Sequence, residues 1–421
     1  MVILCWRFEY IGKNNLHTHT IGALDAEEAR MPYFMKVGDT PRKRFSQHRR
    51  PDGRLYAAEV MGEEGFSSDM SMLYHLETPS AVLKVEAADA AEPKAGDLTP
   101  NHPLSPRLFG TAGLPRGGDM LGARQLLCGN ADVLVSFVSA DAPSPLFRNA
   151  VGDELIFVHD GAARLETVFG VLDVAKGDYV VIPKATTHRW LPGADGPLNA
   201  LVFETTGHVR APKRYLTQYG QYHQESPYSE LDLRRPEGPL LAGGQDVPVL
   251  VKTRAGLTRY TYQTHPFDVA GWFGCNYPYA LNIEDFSPIT GSFHRPPPVH
   301  QVFEAPGCVV CNFVPRMLDY DPRAMPLPSF HSNVDSDEFI FYAEGNFFSR
   351  KGSGIERGAV SLHPAGHIHG PQPAAWESAP ARVGQRTEET AVMLDTFRPL
   401  ALGPAALATE RTDYVLSWNR K

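Results

Sequence analysis

The sequence predicts an all-β protein made of two similar halves. Short runs rich in Val, Ile and Phe recur between Ala131 and Glu204 (VLVSFVSA, ELIFVHDG, ARLETVFGVLDVAKG, DYVVIPKATTHRW, ALVFETT) and resume after Val247. Apolar and polar residues alternating over so few positions fit half-buried strands and not helices. Glycine (37) and proline (36) are frequent but scattered, as turns between many short strands require. A β-sandwich or barrel with few short helices accounts for these observations.

Taken in order, residues 1–30 show neither clean alternation nor a helical stripe and read as a loosely attached extension. His17 and His19 would share one face of a strand there, but no third ligand follows nearby. Residues 31–74 read as arms and short strands around the turn Pro51-Asp52-Gly53. Ala, Pro and Gly clusters over 88–125 are loop or linker signals. The first strand-rich half follows, then a polar and aromatic connector over 213–239 with room for one helix. The second half runs from VPVLVKTRAG to YVLSW. The expected domains are an extension at 1–30, a metal-free N-terminal half with arms at 31–235, and a catalytic C-terminal half at 236–421.

Of the 421 residues, acidic groups outnumber basic ones, giving a net charge of −8 and a pI near 6.1. Charges of both signs are interspersed, so no basic face for nucleic acid or anionic lipid is predicted. No stretch reaches the roughly 18 apolar residues of a membrane span, and no signal peptide stands at the N-terminus. Five cysteines (Cys5, Cys128, Cys275, Cys308, Cys311) form no disulfide framework, and a cytoplasmic protein with reduced thiols is expected. Cys308-Val-Val-Cys311 lies in a β-run, where residues three apart face opposite sides, so it reads as core and not as half a zinc motif. Arg295-Pro-Pro-Pro298 reads as a rigid loop, and no phosphate-cradling or serine-hydrolase motif occurs.

One stretch concentrates the chemistry. His331 is followed by Glu338 and Gly345, then by Gly358, Pro364, Gly366 and His369. Two histidines and one carboxylate on short strands joined by glycine turns make the ligand set of a facial triad for Fe(II), which keeps positions open for substrate and O2. The spacing resembles the paired motifs of the cupin superfamily, whose fold is a double-sheet jelly roll. Asn333 replaces the second histidine of that motif. A weaker copy runs through Asn149, Glu154, Gly161, Gly177, Pro183 and His188, with Phe147 and Asn149 in the histidine slots, and reads as scaffold. The fold class is therefore a bicupin.

The chain is also similar to the homogentisate 1,2-dioxygenase family. The resemblance is carried by His331-Ser-Asn, Glu338-Phe339, Ser361-Leu362-His363 with His369-Gly370-Pro371, PRKR at 41–44, DGRLYAAEVMGEEGFSSD at 52–69, PFDVAGW at 266–272 and LDTFRP at 394–399. It implies that His331, Glu338 and His369 bind ferrous iron, with Asp337 an alternative ligand. It implies that a histidine acts as base, best matched by His294 with His300 close by. It also implies that homogentisate and O2 are converted to maleylacetoacetate in tyrosine and phenylalanine catabolism, by a homo-oligomer built as a trimer or hexamer. The family's substrate-contacting tyrosine falls at Phe347, its lysine at Arg350 and its arginine after the first ligand at Ser332. Asn333 and His363 are further candidates for orienting substrate or oxygen. These departures leave open another hydroquinone acid, such as gentisate. A non-catalytic bicupin binding protein is the reading of a different class.

Overall fold

The computed structural model describes residues 34–88, 95–290 and 299–419. The expected extension at 1–30, the His17/His19 pair, His294 and the Arg295–Pro298 loop lie outside them. The described chain is all-β, with two short α-helices, Pro373–Ser378 and Pro404–Ala408, and several single 3-10 turns. No helix is long and apolar enough to cross a membrane.

Four sheets stack in sequence, and alternation along each strand builds the layers. In Asp337–Glu344, Phe339, Phe341 and Ala343 point into one apolar layer, while Ile340 and Tyr342 enter another. The first layer joins the six-stranded sheet (Gln301–Ala305, Cys308–Phe313, Thr390–Thr396, Asp337–Glu344, Ala359–His363, Arg107–Gly110) to an eight-stranded sheet centred on Glu154–Asp160 and Leu198–Thr205. Phe341 is in ring contact with Phe137 and Phe157 across it, at centroid distances of 6.3 and 6.4 Å. The far face of the eight-stranded sheet packs through Ile156, Val180 and Trp190 on a seven-stranded sheet. That sheet in turn packs through Val249 and Trp272 on a four-stranded sheet.

Strand pairing does not follow a division at 235/236. Gln245–Thr253 and Gly256–Thr264 complete the seven-stranded sheet, Val269–Gly274 joins the four-stranded sheet and Tyr279–Asn282 joins the eight-stranded sheet. The polar connector at 213–239 is a run of short turns that buries Tyr215 and Tyr228 in the first layer and supplies Leu233–Arg234 as the edge strand of the eight-stranded sheet. In the other direction, Arg107–Gly110, inside a segment expected to be linker, pairs with Ala359–His363 at the edge of the C-terminal sheet. Two turn glycines are obligatory. A Cβ on Gly345 (φ 104°) would meet the Glu388 carbonyl oxygen at 2.3 Å, and one on Gly161 (φ 82°) would meet that of Pro197 at 2.4 Å.

Within the four-stranded sheet, His75 is buried between two carboxylates, Asp268 at 2.6 Å and Glu59 at 2.8 Å. Burial lowers its pKa, but the two hydrogen bonds outweigh burial and raise it to about 9 from 6.5. A raised folded-state pKa contributes stability that is full below the unfolded value and is lost as pH climbs through the folded one. Stability should therefore fall between about pH 6.5 and 9, by at most roughly 3 kcal/mol from this group. Denaturant titrations of the parent and of His75→Gln check this, because the variant should lose that portion of the slope.

Candidate metal centre

Three chain segments converge on the outer face of the six-stranded sheet. Glu338 is the second residue of the strand Asp337–Glu344, whose even-numbered residues face away from the eight-stranded sheet, and is 5 % exposed. His331 and His369 lie on two irregular segments joined by a pair of 2.9 Å backbone hydrogen bonds. Ligand atoms of His331, Glu338 and His369 all lie within 4.8 Å of one another, the one such group among the described residues.

Each histidine is oriented by the carbonyl two residues before it. His331 Nδ1 donates to Ser329 O at 2.7 Å and His369 Nδ1 to His367 O at 3.0 Å. A carbonyl can only accept, so each Nδ1 holds the proton and each Nε2 presents its lone pair. Nε2 of His369 is buried without a hydrogen-bond partner, an arrangement expected where a metal takes that lone pair. The Nε2 atoms lie 3.9 Å (His331) and 3.4 Å (His369) from the Glu338 carboxylate. Burial pushes the Glu338 carboxyl up, but the surrounding imidazoles of His331, His363 and His369, of which His363 is within hydrogen-bond distance, hold it well below the usual range.

Supporting groups stand behind the ligands. His363 Nδ1 lies 2.7 Å from Glu338 Oε1, and its Nε2 lies 2.9 Å from the Tyr414 hydroxyl. Burial lowers the His363 pKa to about 3, so the ring is neutral. It then donates to Glu338 through Nδ1 and accepts from Tyr414 through Nε2. Trp418 Nε1 donates to Gly370 O at 3.1 Å and Arg350 Nη1 to the same oxygen at 2.7 Å, which fixes the residue next to His369.

The N-terminal half repeats this geometry with a different cation. Glu154 pairs in register with Glu204 as Glu338 does with Asp395, and His188 bridges Phe147 as His369 bridges His331. Asn149 donates to Glu204 at 3.2 Å, as Asn333 does to Asp395 at 3.3 Å. His188 Nδ1 likewise donates to the carbonyl of Thr186. Phe147 takes the place of the first histidine. Arg124 reaches both oxygens of Glu154 at 2.9 and 3.3 Å and Glu204 at 3.2 Å, and Lys252 reaches Glu204 at 2.6 Å. Among the described residues no lysine or arginine forms an ion pair with Glu338 or Asp395. Burial and the Glu338 charge instead push Asp395 well above the usual carboxylate range. The C-terminal carboxylates thus lack the internal cation of their counterparts, and their donor set fits a divalent metal.

Other expected residues fall as follows. Asp337 is not an alternative ligand, because its two oxygens accept the backbone amides of Ala365 and Leu400 at 2.8 and 2.7 Å. Its position in the strand turns it away from the site. A cavity of about 70 Å³ opens beside the ligands, and its wall includes His331, Glu338 and Arg350. Phe347, Asn333 and His363 do not line it. Phe347 is held at φ 37° with its ring 5.0 Å from that of Tyr342 in the core. His300 is fully buried against Phe313, with ring centroids 4.6 Å apart. Cys308 and Cys311 are free and buried in different apolar layers. Tyr414 and Asp395 were not singled out from the sequence. Asp395 lies inside the LDTFRP stretch, but Tyr414 has no local signal.

Replacing Arg124 with Met should leave Glu154 and Glu204 buried and under-compensated, at a cost of roughly 3–5 kcal/mol. Chemical denaturation measures this, and a loss below about 1 kcal/mol would contradict the assignment of Arg124 as the internal cation.

Residues 126–283 match the family described as Homogentisate 1,2-dioxygenase N-terminal. A protein of Saccharolobus solfataricus named "Putative dioxygenase" is 36 % identical over 394 residues, covering 92 % of this chain and 99 % of the relative. Homogentisate 1,2-dioxygenase of Emericella nidulans is 28 % identical over 262 residues, covering 59 % of this chain and 56 % of its own length. The enzyme of that name from Pseudomonas syringae pv. tomato is 29 % identical over 287 residues, covering 65 % and 64 %. On the strength of the near-full-length match, the chain belongs to one family with that Saccharolobus solfataricus dioxygenase, a family related to homogentisate 1,2-dioxygenase through residues 126–283.

Proposed function

We propose that this protein is a ferrous ring-cleaving dioxygenase that converts homogentisate and O2 to maleylacetoacetate in tyrosine and phenylalanine catabolism, with His331, Glu338 and His369 as the iron ligands. The observation that carries the reading is the convergence of those three ligand atoms within 4.8 Å, in a family of dioxygenases. Fe(II) bound here would supply adjacent open positions at which a phenol oxygen and O2 can meet.

The chain's own groups perform the rest. Nε2 of His331 and Nε2 of His369 are presented as neutral donors because their Nδ1 protons are engaged. Glu338 is kept ionised and is aligned by His363, which Tyr414 holds in one tautomer. Phe313, Ile340 and Met393 give the cavity an apolar wall for an aromatic ring and keep bulk water away from it. His294, which lies outside the described residues, is the proposed acceptor of the phenol proton. The chain's division into a scaffold half and a catalytic half, assembly as a trimer or hexamer and a cytoplasmic location belong to the same reading. Free Cys128, Cys275, Cys308 and Cys311 support the last of these.

Gentisate is the second reading, and one observation favours it. Phe347, at the family's substrate-contacting tyrosine position, is packed in the core and brings no hydroxyl to the cavity. Anaerobic reconstitution with Fe(II), followed by O2 uptake with each acid, separates the two. Uptake with homogentisate in preference to gentisate is expected. A preference for gentisate would overturn the substrate, and uptake with neither would overturn the dioxygenase reading.

A further inference from the structure

The cavity beside the candidate ligands contains a cation that the fold does not account for. Its wall includes Arg316 as well as His331, Glu338, Arg350, Phe313 and Met393. Arg316 opens the two-residue strand Arg316–Met317, which pairs with Arg386–Thr387. It is 5 % exposed. Its Nη1 donates to the carbonyl of Val314 at 3.1 Å, and the guanidinium lies 5.5 Å from the centre of the Phe313 ring. Among the described residues no carboxylate comes within the 4.0 Å of an ion pair. Its electrostatic neighbour Glu389 shares the cavity wall but forms no ion pair with it, and burial pushes that carboxyl up, towards the neutral form, against the pull of Arg316 and Arg350.

A guanidinium removed from water and left without a counter-charge is costly, and buried charges are as a rule paired. The same chain shows the paired case, since Arg124 is equally buried and is met by Glu154 and Glu204. Of the other two cavity arginines, Arg350 is committed through Nη1 to the Gly370 carbonyl and Arg382 is stacked on the Phe348 ring, 3.8 Å from its centre. An apolar residue at 316 would serve the fold as well or better. The cation therefore points to an anion that arrives from outside the chain.

We propose that Arg316 is the receptor for the carboxylate of an aromatic acid bound in this cavity, and so the residue that selects acids over neutral hydroquinones. A planar guanidinium fork matches a carboxylate with two parallel hydrogen bonds. Phe313 and Met393 flank the place for the ring, and His331 and Glu338 mark the end where its hydroxyl would lie. This rests on the site being that of a hydroquinone-acid dioxygenase. It also accounts for Phe347, whose lost hydroxyl leaves the acid to be met by another residue. No motif marks Arg316 in the sequence, because it reaches the cavity through a turn 15 residues before His331.

The test titrates Fe(II)-reconstituted protein without O2 by calorimetry, using (2,5-dihydroxyphenyl)acetate and its methyl ester, for the parent, Arg316→Met and Arg316→Lys. The parent should prefer the acid, and Arg316→Met should lose about 100-fold in acid affinity. Its affinity for the ester should change little, and Arg316→Lys should recover part of the loss. The melting temperature of Arg316→Met without ligand should be unchanged or raised. Equal losses for acid and ester, or a parent that does not discriminate between them, would overturn the proposal. An Arg316-dependent preference for the acid with no O2 uptake would sink the dioxygenase reading and leave Arg316 as the receptor. O2 uptake with an Arg316→Met that still prefers the acid would do the reverse.

Discussion

Two buried carboxylates facing each other across neighbouring strands set the constraint on which each half of this protein is built. Glu338 stands opposite Asp395 in the C-terminal half, and Glu154 stands opposite Glu204 in the N-terminal half. Such a pair needs positive charge close by. In the N-terminal half Arg124 and Lys252 supply it from the chain, and the site is filled. In the C-terminal half three imidazoles surround Glu338 and, among the described residues, no guanidinium or ammonium pairs with it, so a place for a metal ion is left. The difference between scaffold and candidate catalyst thus comes down to a few side chains on one shared frame.

The layering of sheets explains why that place is accessible. The N-terminal carboxylates are covered by a seven-stranded sheet, while among the described residues the corresponding layer of the C-terminal half is reduced to the His331–His369 bridge and the short pairing of Arg316–Met317 with Arg386–Thr387. Loops as well as strands line the cavity, and the C-terminal turn Tyr414–Trp418 closes the back of the site through His363 and Gly370. A rigid sheet holds Glu338, and adaptable segments bring the histidines and the arginines to it.

What could be read from the sequence follows from how local each signal is. Strand alternation and glycine turns are short-range, so the all-β architecture and the frame around His331, Glu338 and His369 were legible. The same alternation settles Asp337, which must face away from Glu338 beside it. The cation of each half was not legible. Arg124 and Arg316 precede their motifs by a turn and gain meaning only when distant strands bring them to a carboxylate pair or a cavity wall. Strand exchange was equally hidden, because Arg107–Gly110 sits among loop signals and finds its partner some 250 residues later. The polarity of residues 213–239 marked a run of short turns, and the two-residue edge strand Leu233–Arg234 within it was not legible. Phe347 kept its motif position but turned into the core.

The central claim is that one half of a duplicated frame carries a metal and the other carries its own cation. Anomalous X-ray diffraction at the iron edge, on crystals of the Fe(II)-reconstituted protein, tests it most directly. One iron site per chain is expected, bonded to Nε2 of His331, Nε2 of His369 and the Glu338 carboxylate, with none between Glu154 and His188. Iron between Glu154 and His188, or no iron at Glu338, would contradict it.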